Sequence, residues 1–227
     1  MPTIVIATGN QGKLRELREL LRGAIPGLDV DTEVVSAAEV NAPDVPETGV
    51  SFAENSLLKA RAVADATGLI AIADDSGLQV DVLGGAPGIF SARWAGRHGD
   101  DSANLNLLLA QLSDIAPEHR TAHFSCAASL ALPASRGDFI AVEHGYMPGV
   151  LRYESAGEGG FGYDPIFEST ELTEGIDGHD PAYNGEYAHL TNAEIPAEIK
   201  NAISHRARAF NALLPQIIRA VELYHGE

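Results

Sequence analysis

Asp74 and Asp75, followed by Ser76 and Gly77, offer this sequence its clearest opportunity for catalytic chemistry. Adjacent carboxylates repel unless a cation, a donor or a proton separates them. Oxygen ligands of this kind suit Mg2+, which keeps several waters and takes one or two carboxylates together with substrate phosphates. A simple Asp-Ser-Gly turn with solvated acids is the alternative. Glu47, in Val45-Pro46-Glu47-Thr48-Gly49, is a further carboxylate that another loop could bring to the same cation. A second opportunity is Thr8-Gly9-Asn10-Gln11-Gly12-Lys13. If it joins a strand to a helix, its backbone N–H groups and the helix N-terminus form an anion site, and Lys13 adds a point charge. The glycine spacing is too short for a Walker A loop, and Leu14 stands where Ser or Thr would hold magnesium. The dinucleotide fingerprint would need a third glycine. A plain strand-to-helix turn is the other reading.

Three further groups carry weaker signals. Phe52, Asn55 and Lys59 fall at i, i+3 and i+7 and share a helix face, either a phosphate-binding wall or a solvated surface. Gly157-Glu158-Gly159-Gly160-Phe161-Gly162-Tyr163-Asp164-Pro165 places two flat rings in a backbone that glycine lets approach a ligand closely. Base stacking and a glycine-rich hairpin both fit it. Ser204 can cap a helix whose first turn then carries His205 and Arg206, as donors to a ligand or as surface groups. His119 and His123 are too isolated to mark a metal site, and no Ser-His-Asp arrangement or reactive cysteine is apparent.

These groups need elements to hold them. An apolar run at 3–7 predicts a strand, and leucines 14, 17, 20 and 21 predict the helix after it. Ser51-Phe52-Ala53-Glu54 is a capping box, in which Ser51 caps the helix and Glu54 returns to the N–H of Ser51. That helix runs to about Thr67 and stops at Gly68, and the apolar run 69–73 reads as a buried strand. A helix over 103–112, strands over 121–132 and 138–146, and a final helix over 204–224 kinked at Pro215 complete the pattern. Mixed elements without strict alternation predict an α/β fold with a mixed sheet. Residues 169–193 are acidic, turn-rich and aperiodic, and read as a long mobile excursion within one domain spanning 1–227.

Composition narrows the partners. The 227 residues carry 15 basic and 32 acidic side chains, a formal net charge of −17. This argues against a broad grip on nucleic acid or an anionic membrane, so an anionic ligand needs a locally basic pocket or a bridging cation. Cys126 is the only cysteine, which excludes an intrachain disulfide and a thiolate-rich metal site. The start lacks a signal-peptide pattern, and no apolar run approaches the roughly 20 residues of a membrane span, so a soluble cytoplasmic protein is expected. Only Lys13, Lys59 and Lys200 are lysines, against 12 arginines, and mark places where a compact ammonium is not replaced by a guanidinium.

Taken in order, these motifs closely resemble the inosine triphosphate pyrophosphatase family. The resemblance rests on Ala7-Thr8-Gly9-Asn10 with Lys13, Phe52-Ala53-Glu54-Asn55 with Lys59-Ala60, and Ile72-Ala73-Asp74-Asp75-Ser76-Gly77-Leu78. It continues through Gly84-Gly85-Ala86-Pro87-Gly88 with Ser91-Ala92-Arg93, then Gly160 to Pro165, and Ser204-His205-Arg206. It implies a two-lobed α/β fold with a central mixed sheet flanked by helices, an active cleft between the lobes, and a homodimer. It also implies Mg2+-dependent hydrolysis of non-canonical purine nucleoside triphosphates (dITP, ITP, XTP) to the monophosphate and pyrophosphate. By that resemblance Thr8, Gly9, Asn10, Gln11, Gly12 and Lys13 bind the triphosphate, and Asp75 is the catalytic acid/base and a metal ligand. Glu47 and Asp74 join the metal shell. Lys59, Ser76, Phe161, Gly162, Tyr163, Asp164, Lys200, His205 and Arg206 meet the substrate. The region before Lys200 departs from the family pattern: the acidic excursion and Tyr187-Ala188-His189-Leu190 occupy the place of a short loop and an Ala-Glu-Leu segment. Two other functions stay open. Related pyrophosphatases act on modified pyrimidine nucleotides, against which Ser204-His205-Arg206 argues. A catalytically silent nucleotide sensor is the other, against which the retained Asp74 and Asp75 argue.

Overall fold

A computed structural model describes residues 1–8, 11–174 and 185–226 of the chain, without the side chains of residues 11–13, 16, 173 and 174. The elements in chain order are β1 (Ile4–Ile6), α1 (Gln11–Leu21), α2 (Val30–Glu33), β2 (Val34–Ser36), α3 (Phe52–Thr67), β3 (Ile70–Val80), α4 (Asp101–Gln111), β4 (Thr121–Ala131), β5 (Ile140–Leu151), β6 (Phe167–Ser169), α5 (Glu171–Glu174), α6 (Ala197–Ile203) and α7 (His205–His225). The six strands form one sheet in the order β2-β1-β3-β4-β5-β6. β1 pairs in parallel with β2 and β3, while β5 and β6 are antiparallel, so the sheet is mixed as the sequence suggests.

The contacts divide the chain into two compact units, and β3, β4 and β5 contribute residues to both. The first unit holds residues 1–75, 126–145 and 208–227. Its core packs Ile4, Ile6, Ile70 and Ile72 with Leu14, Leu17 and Leu21 of α1 and with Phe210, Leu213 and Ile217 of α7. The leucine spacing of α1 and the stripe of α7 are thus the core-facing sides of those helices. Cys126 is wholly buried in the same cluster. The second unit holds residues 76–125 and 146–207, with Leu78, Leu108, Phe124, Met147, Ile166, Phe167 and Ile203 at its centre.

Local signals set the helix ends. Ser51 Oγ accepts from the N–H of Glu54 at 3.2 Å, while Glu54 Oε2 reaches back to the N–H of Val50 at 2.7 Å, one residue before the expected donor. Gly68 ends α3 at a φ of 73° and donates to Ala64 O at 2.8 Å. Ser204 Oγ accepts from the N–H of Ala207 at 3.1 Å and opens α7, which runs through Pro215 to His225.

Two expectations are corrected. Asp74-Asp75-Ser76-Gly77 is not a turn after a short strand but lies inside the 11-residue β3. Gly77 is needed there for proximity: a Cβ would stand 2.5 Å from Ser91 Oγ and 2.6 Å from Gly88 O. The ends of the 169–193 stretch are also packed and not loop-like. Ser169 closes β6, Leu172 lies in the second core, and Thr191, Asn192 and Ala193 are buried. Thr191 bridges to Glu168 as an isolated strand pair. The middle of the excursion, 175–184, lies outside the described residues. Leu172→Ala should therefore destabilise the protein by about 2–5 kcal/mol in urea unfolding, a change that a solvated loop residue would not produce.

Candidate active site

Asp75 is held by groups from the same unit. Asn55, on α3 and fully buried, donates through Nδ2 to Asp75 Oδ2 at 3.0 Å. Its Oδ1 accepts from the N–H of Gly49 at 2.8 Å, which ties the loop carrying Glu47 to the helix. A side chain at Gly49 would clash, since its Cβ would stand 2.8 Å from that same Oδ1. One turn further along α3, Lys59 Nζ donates to Glu47 Oε1 at 2.8 Å and to the carbonyl of Asp74 at 2.7 Å. It also lies 3.9 Å from Asp75 Oδ1. The spacing of Asn55 and Lys59 thus presents an amide and an ammonium to one carboxylate.

Burial governs the charge of Asp75, whose side chain is 13% exposed. Desolvation pushes its pKa up to about 6; Lys59 and the Asn55 hydrogen bond pull it back, while the charges of Glu47 and Asp74 push it further up. A carboxyl group raised in the folded state is more stable protonated. Its contribution to stability is therefore full below the unfolded value near 4 and is lost as pH rises through about 6. In metal-free protein the Asp75 carboxyl resonance should titrate near pH 6; a midpoint near 4 would show that it is solvated.

Asp74 is buried as well, but successive strand residues point to opposite faces, so its carboxylate diverges from that of Asp75. Among the described residues no three His, Cys, Asp or Glu side chains are grouped to hold a metal ion. The donor set still fits magnesium. A cation, the Lys59 ammonium, already sits between Glu47 and Asp75, and Mg2+ needs only one or two carboxylates when water and phosphate complete its shell.

In the 8–13 segment, β1 ends and α1 begins on either side of Gly9 and Asn10, which lie outside the described residues. Thr8 donates its N–H to Ile6 O at 2.8 Å, and Gln11, Gly12 and Lys13 form the first turn of α1. The strand and the helix expected on either side of this segment are therefore present.

The second unit gathers the other group. Phe161 is 62% exposed, and Lys200 Nζ lies 4.7 Å from its ring centre. Buried Asp164 accepts from the N–H of Phe161 at 2.8 Å and forms an ion pair with Lys200. The N–H of Gly162 donates to Asp101 Oδ2 at 3.0 Å, and Tyr163 OH donates to Ser91 O at 2.9 Å. Burial raises the pKa of the Tyr163 phenol, so it serves as a neutral donor. The neighbouring glycines answer to backbone contacts. A Cβ at Gly157 would meet the Ala193 carbonyl carbon at 2.4 Å, and the N–H of Gly159 donates to Ala193 O at 3.0 Å. Arg206 Nη2 donates to Ser76 Oγ at 3.2 Å. The His205 ring stacks on Phe124 at 5.1 Å and 14°.

The sequence profile of the Ham1 family matches residues 4–216. The chain belongs to the Ham1 family. A dITP/XTP pyrophosphatase of Streptomyces coelicolor is 56% identical over 217 residues, which cover 96% of this chain and 98% of that protein. One of Leifsonia xyli is 48% identical, with 97% and 98% covered. Among solved structures, a Mycobacterium abscessus nucleoside-triphosphatase/dITP/XTP pyrophosphatase superposes with a TM-score of 0.72 at 44% identity, covering 95% of this chain and 99% of that one. A HAM1 protein of Coxiella burnetii reaches 0.78 at 36% identity, covering 96% and 100%. As a Ham1-family chain it carries Asn55 in direct contact with Asp75, a contact that the helix-face pattern alone did not locate. Phe124 and Asn192, which touch His205 and Asp164, were also not singled out from the sequence.

Proposed function

We propose that this Ham1-family chain hydrolyses non-canonical purine nucleoside triphosphates such as dITP, ITP and XTP to the monophosphate and pyrophosphate. The observation that carries this reading is Asp75, a carboxyl group raised to about 6 by burial and held by Asn55 and Lys59. A base whose pKa lies just below neutrality is largely ionised at working pH yet still basic enough to take a proton. Asn55 holds Oδ2, so the proton of the attacking water passes to Oδ1. As water adds to the α-phosphorus, the bond to the bridging oxygen breaks and pyrophosphate leaves.

Asp75 and Glu47 would hold Mg2+, and the ion would supply Lewis-acid stabilisation of phosphate charge; Asp74, expected from sequence in the metal shell, sits on the opposite face of β3 and adds only its charge. Lys59, expected from sequence to meet substrate, acts in this reading as the cation that fixes Glu47 and Asp75. Residues 8–13 take the triphosphate. Phe161 offers a face for the base, with Lys200 and Asp164 beneath it, and Gly162, Tyr163 and Ser76 complete the contacts. His205 and Arg206 present donors to the C6 oxygen of hypoxanthine or xanthine. Adenine carries a donor at that position and would leave those groups unmatched. The whole chain then acts as one catalytic domain, as a cytoplasmic homodimer.

Pyrophosphate release from ITP, XTP and ATP, with and without Mg2+, tests the reading. ITP and XTP should exceed ATP in kcat/KM by about 10² or more, only with Mg2+ present. Equal rates with ATP, or no pyrophosphate from ITP, would overturn it.

A further inference from the structure

Asn192 is 2% exposed and lies in the second unit beside residues of the proposed base site. Its backbone N–H donates to Phe167 O at 2.8 Å, which fixes its position next to β6. Its side-chain Nδ2 donates to Asp164 Oδ1 at 3.3 Å and touches Met147 Sδ at 3.8 Å. Its Oδ1 is buried and has no hydrogen-bond partner among the described residues. Rotating the amide would set Oδ1 against the carboxylate and place two acceptors together, so the observed orientation is the favoured one.

The amide thus leaves its own oxygen unsatisfied while it satisfies one of Asp164. An apolar side chain in the same place would pack against Met147 and remove the unsatisfied amide oxygen, but it would strip buried Asp164 Oδ1 of its donor. What the amide supplies is a donor to Asp164. That carboxylate already accepts from the N–H of Phe161 at 2.8 Å and from Lys200, both on Oδ2. With Oδ1 bound by Asn192, neither oxygen can swing away, and the backbone of Phe161 and the ammonium beneath its ring are fixed together.

We propose that Asn192 is a positioning residue for nucleotide recognition, acting through Asp164 to pre-set the Phe161 platform and Lys200. The inference rests on the assignment of Phe161, Asp164 and Lys200 to substrate under Proposed function. Pre-organisation of a binding group appears in substrate affinity, while the chemistry at Asp75 belongs to other residues. Asn192→Leu should still fold cooperatively, increase KM for ITP about tenfold and leave kcat within about twofold. Asn192→Ala, which cannot clash, should show the same split. Phe161→Ala, whose KM for ITP should rise if the ring meets the substrate, tests the underlying assignment separately. A folded Asn192→Leu protein with unchanged KM, or one that loses kcat alone, would overturn the inference. So would failure of both variants to fold, because the amide would then be structural.

Discussion

Asp75→Asn should fold normally and lose at least about 10³-fold in kcat for ITP, because the amide lacks both the charge for a cation and the basicity for a proton. The exchange preserves shape and can still meet the Asn55 Nδ2 at one of its two terminal atoms. Relief of a buried charge should even raise the melting temperature at pH 8, where Asp75 is ionised against the pull of burial. A loss of activity with a retained or raised melting temperature separates chemistry from folding. Turnover near the wild-type rate would place the base elsewhere.

Lys59→Met should cost about 10²-fold in kcat/KM at neutral pH through a different route. The lysine side chain is 17% exposed and its ammonium is shared by Glu47, the Asp74 carbonyl and Asp75. Methionine keeps the stem and removes the charge. Without that charge the Asp75 pKa rises above about 6, since Lys59 is the strongest influence holding it down. The acid limb of the pH–rate profile should then move to higher pH, and part of the loss should be recovered by pH 9. A uniform loss at every pH would show that Lys59 acts by contact with substrate and not through Asp75.

Much of this arrangement is legible in the chain because it is local. The cap at Ser51, the stop at Gly68 and the cap at Ser204 each depend on residues within a few positions, and the structure forms all three. The common face of Asn55 and Lys59 follows from helical period alone. The partners of that face do not, because Asp75 lies 20 residues from Asn55 and is met only through tertiary packing. Asp74-Asp75-Ser76-Gly77 misleads for a related reason. Aspartate and glycine are depleted in strands, so the local signal favours a turn. The strand pairing and the approach of Ser91 and Gly88 to Gly77 outweigh it. The acidic excursion conceals its packed ends in the same way: Leu172 and Thr191 find their partners in distant elements.

The buried thiol of Cys126 turns this protein into its own reporter. It is wholly enclosed, and its neighbours in the apolar cluster, such as Ile6, Leu17 and Phe210, all belong to the first unit. A thiol reagent can reach it only when that unit opens. With fast reclosing, the modification rate equals the opening equilibrium constant times the intrinsic rate of the exposed thiol. A non-hydrolysable nucleotide that binds only the closed form should slow modification by a factor of 1 + [L]/Kd. One native thiol, with no second cysteine to confuse the signal, thus permits affinities to be measured in unlabelled and catalytically dead variants alike.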